Sequence, residues 1–270
     1  MRTGSAEEAS RRADGGEWDY PGGELELFRA AGTWKAYLRR ELGRFLGSRV
    51  LEVGAGIGAT TEALWREEVQ HWVCLEPDAS MARRLEERRA AGALPSRCRV
   101  VRGGAAAMAP GAFDTVLYVD VLEHIADDQA ELQCAARRLV PGGHLVVLAP
   151  AHGFLFTPFD RAVGHYRRYG RDDLLARGPR GLEVVRSRYL DAAGLLASLG
   201  NRIVLRTSVP SPRQIRVWDR ILVPLSRRLD PLLAHRVGKS VLVAWRAPGG
   251  ASRPAGLRTG RSGGPAPPPG

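Results

Sequence analysis

The chain has 270 residues, 44% of them hydrophobic, which is enough to bury a core and excludes wholesale disorder. Its formal net charge is +11, from 40 Lys and Arg against 29 Asp and Glu, a balance that invites a nucleic-acid reading. The location of the charge argues against that reading: residues 1–176 carry 23 basic and 25 acidic groups, residues 177–246 carry 14 against 4.

In chain order, residues 1–22 are polar and glycine-containing and read as a flexible leader, with Trp18 and Tyr20 its candidates for order and no signal-peptide pattern. Over residues 24–46, Leu27, Ala31, Trp34, Leu38, Leu42 and Phe45 recur at three- and four-residue spacing, which predicts one amphipathic helix. Strands are expected at 50–53, 71–75, 99–101, 113–119 and 144–148, with helices at 60–69, 80–91 and 127–139 between them. This alternation implies βαβ units and a parallel sheet. Residues 151–170 read as a loop rich in aromatics and histidine, and 183–189 and 240–245 as two further strands separated by a helical region. The last 24 residues hold seven Gly and six Pro, so 247–270 is expected to be a disordered tail. A single globular domain is thus expected over 23–246.

Only two of the 40 basic residues are lysine, Lys35 and Lys239, so the arginine excess reads in part as a compositional habit. Cys74, Cys98 and Cys134 form no CxxC pair, which points to a reducing compartment, no disulfide framework and no metal site. No run approaches the roughly eighteen apolar residues that span a bilayer. A soluble, cytoplasmic protein is expected.

The sharpest motif is VLEVGAGIGA at 50–59, where a strand runs into Gly54, Gly56 and Gly58 ahead of a helix. Glycines there permit positive φ and close backbone approach, and the helix start supplies N–H groups. The loop also fits a dinucleotide fingerprint and by itself leaves the ligand open. Two acids tilt the choice. Glu52 stands at the strand end, where a carboxylate repels pyrophosphate and attracts an ammonium group. Glu76 ends the next strand, 24 residues on, and suits a ribose diol.

VLEVGAGIG, CLEPD (74–78), FDTVLYVDVLEHI (113–125) and LVPGGHLVVLAP (139–150) together resemble the successive motifs of class I S-adenosylmethionine-dependent methyltransferases over about residues 48–150. The resemblance implies an α/β, Rossmann-like, doubly wound seven-stranded sheet, order 3-2-1-4-5-7-6 with strand 7 antiparallel and helices on both faces. It implies S-adenosylmethionine as cofactor. The cofactor set would be Glu52, Gly54, Ala55, Gly56, Glu76, Pro77, Gly103, Gly104, Asp120 and Val121, with Gly54 and Gly56 at the methionine part and Glu76 at the ribose. Asp120 would lie near the methionine amino group or the acceptor. The stretch RGGAAAM (102–108) lacks the acidic or polar residue that many members place at adenine, which leaves backbone near Gly103 and Gly104 for that contact.

Methyl transfer from a sulfonium is an in-line displacement, so alignment supplies much of the catalysis and a base is needed only for a protonated acceptor. The acceptor side is expected in 156–175, where GHYRRY resembles a segment of one bacterial branch of these enzymes. His165 is the candidate base, Tyr166 an orienting group, Arg168 an anion binder, and Phe156 and Asp160 further substrate contacts, with Asp120 the third catalytic candidate. The alternative is a structural loop in which His165 and Asp160 cap backbone. His124, ahead of Asp127 and Asp128, reads as structural, and His71, His144 and His235 as incidental. The insertion at about 191–235 combines apolar residues at helical spacing with Arg213, Arg216, Arg220, Arg227 and Arg228, and packing against the sheet, a lid, a membrane surface and dimerisation all remain open for it. Pro224 should break or kink it.

The expected function is methyl transfer to an oxygen or nitrogen of a small-molecule acceptor, by a monomer or homodimer, with no nucleic acid partner favoured. The rivals are a lipid-linked or glycan acceptor at the membrane surface, with peripheral membrane contact, a nucleotide-dependent oxidoreductase, and a repurposed methyltransferase fold.

Overall fold

The computed structural model describes Leu25, residues 28–204 and residues 211–249. The expected leader at 1–22 and nearly all of the expected tail therefore lie outside the described residues. Seven strands form one sheet in the order β3-β2-β1-β4-β5-β7-β6, as expected. They are β1 (Arg49–Val53), β2 (His71–Glu76), β3 (Cys98–Arg102), β4 (Phe113–Val119), β5 (Leu139–Pro150), β6 (Glu183–Leu190) and β7 (Ser240–Arg246). Pairing is parallel from β3 through β5, and β7 runs antiparallel to both neighbours. The carboxyl ends of β1, β2, β4, β5 and β6 thus share one edge, which is where crevices open in such sheets.

The central strands are buried on both faces, which explains their continuous apolar runs. On one face, α1 (Gly32–Leu42) sets Trp34, Tyr37, Leu38 and Leu42 against Val50, Trp72, Leu117, Val146 and Leu242, joined by Leu64 of α2 (Ala59–Leu64) and Leu85 of α3 (Ala79–Ala90). On the other, α4 (Asp128–Ala136) and α6 (Arg171–Ala176) bring Leu132, Ala135 and Leu174 onto Leu51, Val116, Val147 and Val243. Asp78 and Asp127 accept the N–H groups of Met81 and Ala130 and so cap α3 and α4.

Three expectations on the elements need correction. The helix expected over 24–46 is interrupted: Phe28 and Arg29 are helical, the chain turns at Ala30, and α1 starts at Gly32. Ala31 offers α1 no side-chain cap. The carboxylate of Asp219, from the far end of the chain, accepts the Thr33 and Trp34 N–H groups instead, at 3.3 and 2.8 Å. The helix expected over 60–69 ends at Leu64, where Trp65 turns extended at φ −52° and ψ 142°. Ala247, placed in the tail, exchanges backbone hydrogen bonds with Gly142 and Gly143 and extends the sheet edge.

In the insertion, α7 (Ala192–Val204) leads towards 205–210, which lie outside the described residues. After them one continuous helical rod runs through α8 (Pro212–Val217), a π-helical turn (Trp218–Leu222) and α9 (Val223–Leu232). Pro224 does not break the rod; it follows the π turn directly, and that wider turn is the irregularity next to it. Among the described residues no helix is long and apolar enough to cross a membrane.

Candidate functional site

A cavity of about 1010 Å³ opens over the carboxyl edge of the sheet. The glycine loop forms one wall. Gly54, Gly56 and Gly58 have φ of +69°, +54° and +77°, a backbone that side chains resist. At Gly54 an added Cβ would stand 2.6 Å from Val121, so only glycine lets β1 turn beneath the loop after β4. Gly54, Ala55 and Gly56 line the cavity, roofed by Leu25 and Phe28. These three residues of the expected set therefore share one wall of the cavity.

Glu52 is not at the mouth. Its carboxylate is buried on the face towards α2, where Oε2 accepts from Thr61 Oγ1 at 2.5 Å and Trp72 Nε1 at 2.8 Å, and burial pushes its pKa up to about 7. A residue one step short of a strand end takes its direction from the pleat, and here the pleat turns Glu52 inward. Glu76 folds onto the loop: Oε2 accepts the Gly56 N–H at 2.8 Å and Oε1 the Asp78 N–H at 3.0 Å. Burial raises its pKa against those two bonds. Glu76, Pro77, Gly103, Gly104 and Val121 stand outside the cavity lining, so the described cavity covers the methionine end of the expected cofactor site and not its ribose and adenine end.

Asp120, directly after β4, holds φ +54°, a strained value for a residue other than glycine. Its side chain is exposed into the cavity, with protein packed around it. Burial raises its pKa to about 6, against the attraction of His165, Lys239 and Arg168. Glu123 is fully buried beside it, and neither of its carboxylate oxygens meets a hydrogen-bond donor outside its own residue. Burial and the charge of Asp120 push that carboxyl well above the usual range.

The acceptor segment divides by side. Phe156, Asp160, His165 and Arg168 line the cavity. Tyr166 does not: it is 41% exposed, and its N–H donates to the Glu123 carbonyl while the Arg167 guanidinium lies over its ring. The structure therefore does not bring Tyr166 to the cavity with His165 and Arg168: its backbone is held by the Glu123 carbonyl and its ring faces outward. Asp160 is also reassigned. Fully buried, it caps α5 (Pro158–Ala162) through Thr157, and its Oδ1 binds His165 Nδ1 at 3.0 Å and Arg168 Nε at 2.9 Å. Burial alone would raise its pKa, but His165, Arg168 and Thr157 outweigh it and hold the carboxyl well below the ordinary range. An ionised Asp160 accepts only, so His165 Nδ1 carries the proton and Nε2 presents its lone pair to the cavity.

Several groups were not singled out from the sequence. His124, read as structural, lines the cavity with its ring 4.5 Å from that of His165, edge to face. Burial, then the charge of His165, lowers its pKa to about 4. Glu123, His124 and His165 each offer one ligand atom within 4.8 Å of the others, a donor set fit for a metal ion where none was expected. Lys35 and Lys239 both line the cavity, and burial lowers both. Lys239 Nζ lies 5.4 Å over the Trp218 ring, and Trp218 Nε1 donates to the buried Asp191 at 2.7 Å. Their rarity was the available signal: a chain with two lysines among 40 basic residues keeps both at one site.

Residues 51–145 match the family model of a methyltransferase domain. The chain is 33% identical over 129 residues to a ubiquinone biosynthesis O-methyltransferase of Xanthomonas euvesicatoria pv. vesicatoria, covering 47% of this chain and 53% of that one. It is 29% identical over 129 residues to a protein of the same description from Pectobacterium carotovorum, covering 47% and 54%. The chain thus matches about half the length of these relatives. Among solved structures, the [4+2]-cyclase SpnF superposes with a TM-score of 0.54 at 18% identity, over 80% of this chain and 82% of that one. A Haemonchus contortus phosphoethanolamine N-methyltransferase 2 bound to phosphomonomethylethanolamine and S-adenosylhomocysteine does so with a TM-score of 0.53 at 19% identity, over 77% and 51%. Residues 51–145 are thus similar to methyltransferase domains, and the sheet order fits the class I, S-adenosylmethionine-dependent kind that the motifs resemble.

Proposed function

We propose, with that domain as the premise, that the chain transfers a methyl group from S-adenosylmethionine to an oxygen of a small, largely apolar acceptor, with nitrogen the less favoured atom. The residues fit the donor. A loop of three positive-φ glycines gives backbone access, and Asp120, with its pKa near 6, supplies negative charge beside that loop for the donor's ammonium group. When bound, the donor presents an electrophilic methyl carbon on a sulfonium.

The chain's own contribution is alignment and one proton. Asp160 fixes His165 so that Nε2 can take the proton of an acceptor hydroxyl as the oxygen attacks. Arg168 and Lys239 stabilise the anion as it forms. Phe156, Phe159, Trp34 and Trp218 supply an apolar wall that excludes water. The observation that carries this reading is that Asp160, His165, Arg168 and Lys239 converge on the cavity that holds the glycine loop. The relatives' description as O-methyltransferases supports the choice of oxygen. The cytoplasm, or its boundary with the membrane, suits this reading.

Calorimetry tests the donor: S-adenosylhomocysteine should bind and NAD should not, and the reverse would sink the proposal. Binding should strengthen between pH 5 and 7, because Asp120 must lose its proton near 6 to face a cation. A pH-independent affinity would remove Asp120 from the site. A methyl-uptake screen over phenols, carboxylic acids and amines then tests the acceptor, and uptake by amines alone would overturn the oxygen assignment. A second reading, a fold repurposed for other chemistry, is supported by the likeness to a cyclase. Donor binding without uptake in any class would favour it.

A further inference from the structure

The rod from α8 through the π turn to α9 is amphipathic in the wrong sense for a helix that merely covers its own sheet. Its two acids, Asp219 and Asp230, are 7% and 0% exposed and face inward. Asp219 caps α1, and Asp230 accepts the Tyr37 hydroxyl at 2.6 Å and the N–H groups of Asp191 and Ala192. With them, Ile215, Val223 and Ser226 make up the buried side. The outward side carries Val217, Ile221, Leu225 and Leu232, exposed by 45%, 61%, 43% and 81%. Their spacing of four, four and seven residues keeps them in one stripe. Alongside them stand the exposed Arg213, Arg216, Arg220 and Arg228, for which no acidic partner occurs among the described residues. Every charge on this face is positive.

We infer that the outward face of residues 213–232 docks on an anionic lipid bilayer. Apolar side chains beside unpaired arginines are the two signals that together hold a helix in a membrane interface, where either alone is weak. The charge pattern argues against other occupants. A second copy meeting this face by a two-fold axis would set arginine against arginine. Single-stranded nucleic acid would want aromatic platforms, but Trp218, the only aromatic of the rod, turns towards Asp191 and Lys239. Arg213 and Val217 belong both to this face and to the cavity lining, so docking sets the cavity mouth at the lipid surface. An acceptor with an apolar tail can then enter without crossing water. This docking does not depend on the chemistry in the cavity.

The test is cosedimentation of the full chain with vesicles of phosphatidylcholine alone and of phosphatidylcholine mixed with phosphatidylglycerol. The anionic vesicles should retain the chain at least about tenfold better, and raised salt should release it. I221D/L225D and R216E/R220E should each cut that retention about tenfold or more. None of these four residues lines the cavity, so S-adenosylhomocysteine affinity should stay unchanged and report that both variants fold. Equal retention on neutral vesicles, or full retention of both variants, would overturn the inference. So would a concentration-dependent dimer that the same variants dissolve without lipid, or binding of single-stranded RNA that exceeds vesicle binding. Loss of S-adenosylhomocysteine binding in the native chain, with vesicle binding intact, would sink the proposed methyl transfer and leave the docking face standing.

Discussion

The two halves of the cavity are built in different ways. The wall from β1 to β4 is local: Gly54, Ala55 and Gly56 come from one loop, Asp120 follows one strand, and each arrives through a short motif in a stretch without excess charge. The opposite wall is assembled from distance. Asp219 reaches α1 across 185 residues, Asp230 reaches Tyr37 across 193, and Lys239 reaches the cavity from the turn before the last strand. A motif scan reads the first kind of wall and misses the second, because nothing in the order of residues says which distant side chains will meet.

The largest expected effect falls where the two walls meet. His165→Ala should lower turnover on a hydroxyl acceptor by roughly 10²–10⁴-fold while leaving S-adenosylhomocysteine affinity nearly intact. Asp160→Asn should lower it less and alter the acidic limb of the pH profile, because the amide no longer fixes the His165 tautomer. Native turnover in both would remove the proton transfer from the chemistry. Lys239→Met should cost about ten- to a hundredfold in kcat/KM, with partial recovery in Lys239→Arg; equal loss in both would make Lys239 a packing residue and not an anion holder.

Glu52 sharpens the comparison from the local side. Its pKa, raised from 4.5 to about 7, means that folding is favoured by the protonated acid. The stabilisation is fully present below about pH 4.5 and is lost as pH rises through 7. At one pKa unit to about 1.4 kcal/mol, the loss approaches roughly 3 kcal/mol. Glu52→Gln keeps an oxygen for Thr61 and Trp72 without the ionisation. It should match the native chain in urea unfolding at pH 4.5 and exceed it increasingly towards pH 8. Parallel stability curves would mean that Glu52 ionises freely and faces the cavity after all.

What was legible follows from range. The seven-strand order came through because apolar runs, glycine turns and helical spacing are properties of neighbouring residues. Glu52 was misplaced because a strand end fixes depth in the sheet but not which face a side chain takes. Tyr166 failed likewise: the cluster GHYRRY was visible, but which members turn inward depends on Asp160 and Glu123, which hold the loop from outside it. His124 was passed over because its role exists only opposite His165. The rod at 212–232 shows the converse case. Its basic and apolar residues were plain in the sequence, and what decided their meaning was that both acids face inward.

The smallest expected effect is the most diagnostic of how the halves are joined. Asp219→Ala removes the acceptor of two N–H groups at the start of α1, which has no side-chain cap of its own. Loss of such a cap costs about 1–2 kcal/mol, visible as a lower urea midpoint with an unchanged slope. Trp34 and Lys35, in the first turn of α1, line the cavity, and the helical residues Leu25 and Phe28 precede it. If Asp219 is what ties the distant cover to that turn, the variant should also release S-adenosylhomocysteine faster, although Asp219 does not itself line the cavity. A stability loss with an unchanged release rate would mean that α1 holds its place on the sheet through Tyr37, Leu38 and Leu42 alone, and that the two walls of the cavity are independent.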